Sequence, residues 1–347
     1  MQDQIAQDVA SNLRLRLTGE EDKRLTKRYT ADPEAYLLFR EGKYHWNKFS
    51  LDGIRTGIEY FQRAVKKDPN YALAYVGLGR SYNLLGSLYL GQRQTHADAK
   101  ANLTRALEID NSLLEAHSGL GMTAMFHDWD WPKAERHLQQ AFDLNSSTPA
   151  ENWYGFYLAA MGRPSEALVY IRRNQEVDPL AARGRNELAQ CYNWMRQYER
   201  AIAEAQKALE LDSDFPLAYA ELGTAYVLTG KYEEAIARMQ KGLDRGQKHP
   251  RVQGMLAYAY ATAGENVAAR KVLIELKQHA QVRYGFALSI ARTYAALGEK
   301  DQAFEWLRKS CDERDPQVIW LKVDPTLDSL RSDPRFAQVL KDMGLPP

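Results

Sequence analysis

One interval constrains this chain more than any other feature. Leu188, Ala189, Tyr192, Tyr198, Ala201 and Ala208 are followed 34 residues later by Leu222, Gly223, Tyr226, Tyr232, Ala235 and Gly242. Self-similarity at such a period means one small unit stacked many times, since a single unit cannot bury its own apolar face. Within a unit, Tyr219, Leu222 and Tyr226 lie at i, i+3 and i+7, one stripe of an α-helix. Gly230 stops that helix, and a second helix turns Ala235 and Met239 inward. A mid-helix glycine costs about 1 kcal/mol relative to alanine. The recurring Gly223 position therefore predicts a close crossing of the two helices, with Ala201 and Ala235 as its small partners.

The same position carries Gly42, Gly79, Gly121, Gly155 and Gly223, and alanine at Ala189, Ala257 and Ala291, which makes eight units. Second helices stop at Asp68-Pro69, Asp110-Asn111, Asn145-Ser146, Asp178-Pro179 and Asp212-Ser213, at spacings of 42, 35, 33 and 34. The long second unit is expected to carry an insert around residues 89–96. This pattern resembles the tetratricopeptide repeat (TPR) family over roughly residues 33 to 311. The resemblance implies an all-α solenoid, a right-handed superhelix of about eight helix-turn-helix units with helical caps.

Residues 1–32 read as a linker and capping segment, with Ile5, Val9 and Leu13 on one helical stripe. Residues 33–313 read as the array, with Asp32 and Pro33 at its first N-cap and first helical turn. Residues 314–347 read as a C-terminal helical cap: an apolar knot at Val318, Ile319, Trp320 and Leu321, then short helices starting at Asp324-Pro325 and Asp333-Pro334. The last of these carries Phe336, Val339 and Leu340 on one face, to cover the final unit.

Lys+Arg 46 against Asp+Glu 45 leaves +1, which gives no electrostatic pull toward nucleic acid or an anionic membrane. No apolar run approaches the ~18 residues of a membrane span, and the N-terminus lacks the blocks of a secretion signal. Cys191 and Cys311, more than three units apart, read as unbridged thiols in a reducing compartment, and the chain is expected in the cytoplasm.

Chemistry of a catalytic kind is not legible. His127-Asp128-Trp129-Asp130-Trp131, with His137 beyond, offers metal-ligand residue types, but adjacent His and Asp point apart. Asp130 reads better as an N-cap and Trp131 as the inter-helix aromatic. The glycines follow the repeat rather than forming a phosphate loop. The expectation is no enzyme, no metal and no cofactor.

Members of the resembled family bind partners along the concave face lined by their first helices. The repeat register places Phe39, Lys43, Trp46 and Asn47 there from unit one, and Arg80 and Asn83 from unit two. Met122 and Phe126 follow, then Asn152 and Phe156. Unit five adds Asn186, Gln190, Asn193 and Trp194, unit seven Tyr258, and unit eight Arg292. Amides that donate and accept suit an extended peptide backbone, and Lys or Arg can hold a carboxylate. The expected partner is a protein or peptide.

The chain as a whole resembles the C-terminal TPR region of bacterial multidomain signalling and transcription regulators. The opening Gln2-Asp3-Gln4-Ile5-Ala6, the Asp128-Trp129-Asp130-Trp131 turn and the closing Val323-Asp324-Pro325 to Ser332-Asp333-Pro334-Arg335-Phe336 carry that likeness. It implies a docking or sensing half, begun within a longer polypeptide. Two rival readings stand beside it. One is a ligand-sensing domain with a deep pocket between Trp46, Phe156 and Trp194. The other is a scaffold that forms a homodimer through its terminal helices.

Overall fold

The computed structural model describes residues 29–48, 50–86, 93–144, 153–244, 249–282 and 285–346. Among these there is no strand, and helices follow one another in antiparallel pairs. The pairs are α1 (Pro33–Trp46) with α2 (Leu51–Lys67), α3 (Ala72–Leu85) with α4 (Arg93–Ile109), and α5 (Leu114–Thr123) with α6 (Trp131–Leu144). Then come α7 (Tyr154–Ala160) with α8 (Pro164–Val177), α9 (Ala182–Trp194) with α10 (Tyr198–Leu211), and α11 (Pro216–Leu228) with α12 (Tyr232–Asp244). The last pairs are α13 (Pro250–Thr262) with α14 (Asn266–Val282) and α15 (Ala287–Ala296) with α16 (Lys300–Asp312). Contacts run between neighbours in sequence and between successive first helices (α9 to α11, α11 to α13, α13 to α15), which is solenoid packing. The eight units of the sequence pattern are the eight pairs. The expected N-terminal stripe Ile5/Val9/Leu13 lies outside the described residues, as do residues 89–92 of the second-unit insert, whose remaining residues open α4.

The helix boundaries follow their chemistry. Asp32 accepts from the backbone N–H groups of Glu34 and Ala35 at 2.8 and 3.0 Å and caps α1. At the other end of a first helix, Gly230 sits at φ 78, where a side chain would be strained. The crossing glycine is also as expected. A Cβ on Gly223 would lie 2.8 Å from Cγ and Sδ of Met239, so the flexible methionine of α12 is the nearest group at the crossing. Ala201 and Ala235 are fully buried.

The His127–Trp131 turn is a packing device. α5 runs on through one π-helical turn (Ala124–Asp128), and Trp129 takes a left-handed conformation at φ 54. Asp130 then caps α6 through the Lys133 N–H at 3.1 Å. His127 stacks on His96, and burial holds both well below the usual histidine range, His96 at about 4 and His127 at about 3, as neutral rings. Among the described residues no three His, Cys, Asp or Glu side chains converge as a metal group, and no helix is long and apolar enough to cross a membrane.

Beyond α16 the chain does more than cover the last helix. It forms two 3-10 turns (Val318–Trp320 and Pro325–Leu330) and α17 (Pro334–Asp342). The first turn packs on α7, the second on α15 and α11, and α17 on α16. The Trp320 indole N–H donates to the Phe156 carbonyl at 3.3 Å, and the Trp131 indole N–H to the Met343 carbonyl at 2.7 Å. The Arg314 guanidinium lies 3.4 Å above the Trp129 ring. Arg196, in the turn after α9, bonds both oxygens of Asp328 at 2.9 and 3.0 Å. The segment therefore lies along the inside of units three to eight. One core cluster runs from Ala124 through Phe156, Trp194 and Ile290 to Ile319, Leu327 and Leu345.

Candidate functional site: two parts of one groove

First helices of the later units are buried on every side. The buried run is Asn186–Trp194 in α9, Ala218–Val227 in α11, Val252–Ala259 in α13 and Ala287–Ala295 in α15. Their partners keep an amphipathic pattern, with only Ala201, Ala205 and Ala208 buried in α10. A helix between two neighbours hides two faces. The third, concave face is hidden here by the closing segment.

This changes what the expected groove residues do. Phe156 and Trp194, 6.2 Å apart between ring centroids, both pack on Trp320, at 6.0 and 5.3 Å, with Phe126 also 6.0 Å from it. Gln190 and Asn193 serve contacts among α9, α11 and α13. The Asn193 amide donates to Glu221 Oε2 at 2.9 Å and to its carbonyl at 3.1 Å, Arg251 pairs with Glu221, and Gln190 Oε1 accepts from Arg251 at 3.1 Å. Asn186 and Tyr258 are buried. Arg292 donates to Asp324 Oδ2 through Nε at 3.1 Å and Nη2 at 2.5 Å, and to Gln317 Oε1 through Nη1 at 3.0 Å. Burial alone pushes the Asp324 carboxyl up. The Arg292 charge and the hydrogen bonds from Thr326 outweigh it and hold the carboxyl below its usual range. The space left among these groups is about 20 Å³, room for one water rather than a peptide.

At the N-terminal end the groove is open. Phe39, Lys43, Trp46 and Arg80 meet around a cavity of about 160 Å³, with Phe61, Leu73, Val76 and Gly77 beneath and Glu115 on the far lip. Arg80 lies 5.0 Å from the Trp46 ring centroid, so its charge rests on the indole at the mouth. Lys43 is exposed. Two expected neighbours do not join them. Asn47 is exposed at the C-cap of α1. Asn83 is buried and ties α3 to α5, donating to the Gly119 carbonyl at 3.2 Å and accepting from Thr123 at 3.0 Å. Met122 packs half-buried against the central core, and Asn152 lies outside the described residues. The expected three-sided pocket does not form, because Trp46 belongs to this cavity while Phe156 and Trp194 belong to the filled one.

Phe61, Val76 and Glu115 were not among the residues expected to line a site. The signal for Phe61 was its place opposite Gly42 and Gly77, two side-chain-free positions that a large ring fills.

The tetratricopeptide repeat family model matches residues 195–259 and 227–285, in the regular middle of the array. The matched units are tetratricopeptide repeats. Among curated proteins, Superkiller protein 3 of Schizosaccharomyces pombe is 26% identical over 190 residues, covering 52% of this chain. The chain spans 13% of that protein's length. A solved tetratricopeptide repeat protein from Parabacteroides merdae, 13% identical, superposes with a TM-score of 0.54 over 78% of this chain and 99% of its own. That likeness shows the TPR solenoid fold. A Pseudomonas aeruginosa pilF structure, 21% identical, covers 64% of this chain and 96% of its own at a TM-score of 0.48. TPR scaffolds of this kind are typical of protein–protein interaction and are generally non-catalytic.

Proposed function

We propose that this chain is a non-enzymatic docking scaffold that receives a protein or peptide segment at units one and two. The observation that carries the reading is the asymmetry of the groove. Its central part is filled by residues 317–330, and its N-terminal part keeps an aromatic cavity of about 160 Å³ with cations at the mouth. A preformed site loses little entropy on binding. In this reading residues 33–313 form the array, residues 314–347 lock it, and residues 1–32 link it to the rest of a bacterial cytoplasmic regulator. The near-zero net charge supports protein over nucleic acid or membrane as the partner.

The test is a cross-linked pull-down from bacterial lysate with the full chain, beside Lys43→Glu/Trp46→Ala and Arg196→Ala. The expected result is a partner lost in the first variant and kept in the second, with both variants melting as cooperatively as the parent. A partner kept by both would overturn the N-terminal placement. Capture of the chain's own copies would instead favour self-association, for which Leu37 (62% exposed) and Tyr44 (61% exposed) on α1 are the natural contact.

A further inference from the structure

The cavity at units one and two is specific enough in shape and charge to name the chemistry of its occupant, given that docking occurs there. Its walls are aromatic and aliphatic. Phe39 is wedged between Phe61 and Tyr71, at centroid distances of 5.7 and 5.2 Å, which fixes one side. Gly77 lets the Phe61 ring close the floor: a Cβ there would lie 2.8 Å from that ring, so the ring seats directly on the α3 backbone. An apolar cavity of roughly 150 Å³ accepts a benzene-sized group, and this one is about 160 Å³. That matches one Leu, Met or Phe side chain and excludes a sugar or nucleotide, whose polar groups would go unpaired against these walls.

The mouth is charged on one side. Lys43 from α1 and Arg80 from α3 both border the opening, and Arg80 rests against the Trp46 ring. Glu115, the one acidic residue among the described residues lining the cavity, comes from α5, on the far side of α3 from α1. An extended chain rises about 3.3 Å per residue, so a side chain in the cavity leaves its immediate neighbours over these lips. A carboxylate neighbour gains from Lys43 and Arg80 and is repelled on the Glu115 side. We infer that the docked segment is an extended peptide with one large apolar residue, flanked by Asp or Glu on the side facing Lys43 and Arg80. This rests on the docking reading above and adds the partner's chemistry to it.

The probe is a phage-displayed random-peptide library panned on the immobilised full chain, with enriched peptides measured by fluorescence anisotropy. The expected result is enrichment of a Leu, Met or Phe with an adjacent acidic residue. Lys43→Glu should weaken those peptides by about tenfold or more, and rising salt should weaken them progressively. Lys43 is exposed, so its replacement leaves folding unaffected, and circular dichroism verifies this. Peptides with neutral or basic flanks that still depend on Trp46 would overturn the acidic specificity while leaving the site in place. Peptides indifferent to both Lys43→Glu and Trp46→Ala, or no enrichment at all, would overturn the specificity and the docking reading together.

Discussion

A chain ending at Glu313 is expected to lose cooperative folding from unit four onward. In a simple array, removing the last cap frays only the adjacent unit, because each repeat touches only its neighbours. Here the removed segment reaches back across the superhelix. It carries Val318, Ile319, Leu321, Leu327, Leu330 and Phe336, all buried. Burying a large apolar side chain stabilises by about 1.5–3 kcal/mol, so these six together rival the ~5–15 kcal/mol net stability of a typical domain. Truncation would also bare Phe156, Trp194 and Leu288, which invites aggregation. Urea denaturation followed by circular dichroism should show an early transition for the truncated chain. A midpoint unchanged from the full chain would mean that the segment rests on the array without supporting it.

The second large effect concerns the buried ion pair inside that contact. Arg292 and Asp324 keep side-chain exposures of 8% and 9%, and their mutual charge is the main force keeping Asp324 ionised. Arg292→Ala is expected to cost about 3–5 kcal/mol, since it leaves an uncompensated carboxylate in the core. Replacing both partners, Arg292→Met with Asp324→Leu, should recover most of the loss. About 1 kcal/mol should remain missing, because Asp324 also caps the 3-10 turn through the Thr326 N–H at 2.9 Å. Equal losses below about 1 kcal/mol in the single and double variants would show a solvated pair of the kind that contributes little.

The array was legible because its rules are local. The 34-residue interval, the crossing glycines and the Asp-Pro stops each report on one helix or one turn, and each reappears in the helix pairs. Concave-face residues were legible only as positions. Repeat register says which way Gln190, Asn193 or Arg292 faces, but not whether solvent or another part of the chain lies opposite. That depends on a segment more than 100 residues away in the case of Gln190 and Asn193. A second signal was present. In α11, Ala218, Tyr219, Ala220, Leu222, Ala225, Tyr226 and Val227 are apolar all round the helix, a pattern that belongs to a helix covered on every face. In α1 the exposed Arg40, Glu41 and Lys43 interrupt such a pattern, and that is where the groove is open. Repeat register makes Trp131 an inter-helix aromatic. Its bond to the Met343 carbonyl spans 212 residues, and no short-range rule reports a contact of that range.

Hydrogen–deuterium exchange of the full chain, alone and with a peptide enriched as above, tests the central claim most directly. Amide protection of residues 318–330 should match that of α9 and α11, because those residues open only with the core that holds them. The peptide should slow exchange in α1 and α3 and leave α9 to α15 unchanged. Rapid exchange across 318–330, or peptide-induced protection appearing in α9, α11 or α13, would contradict the claim that the chain closes its own central groove and docks its partner at the N-terminal end.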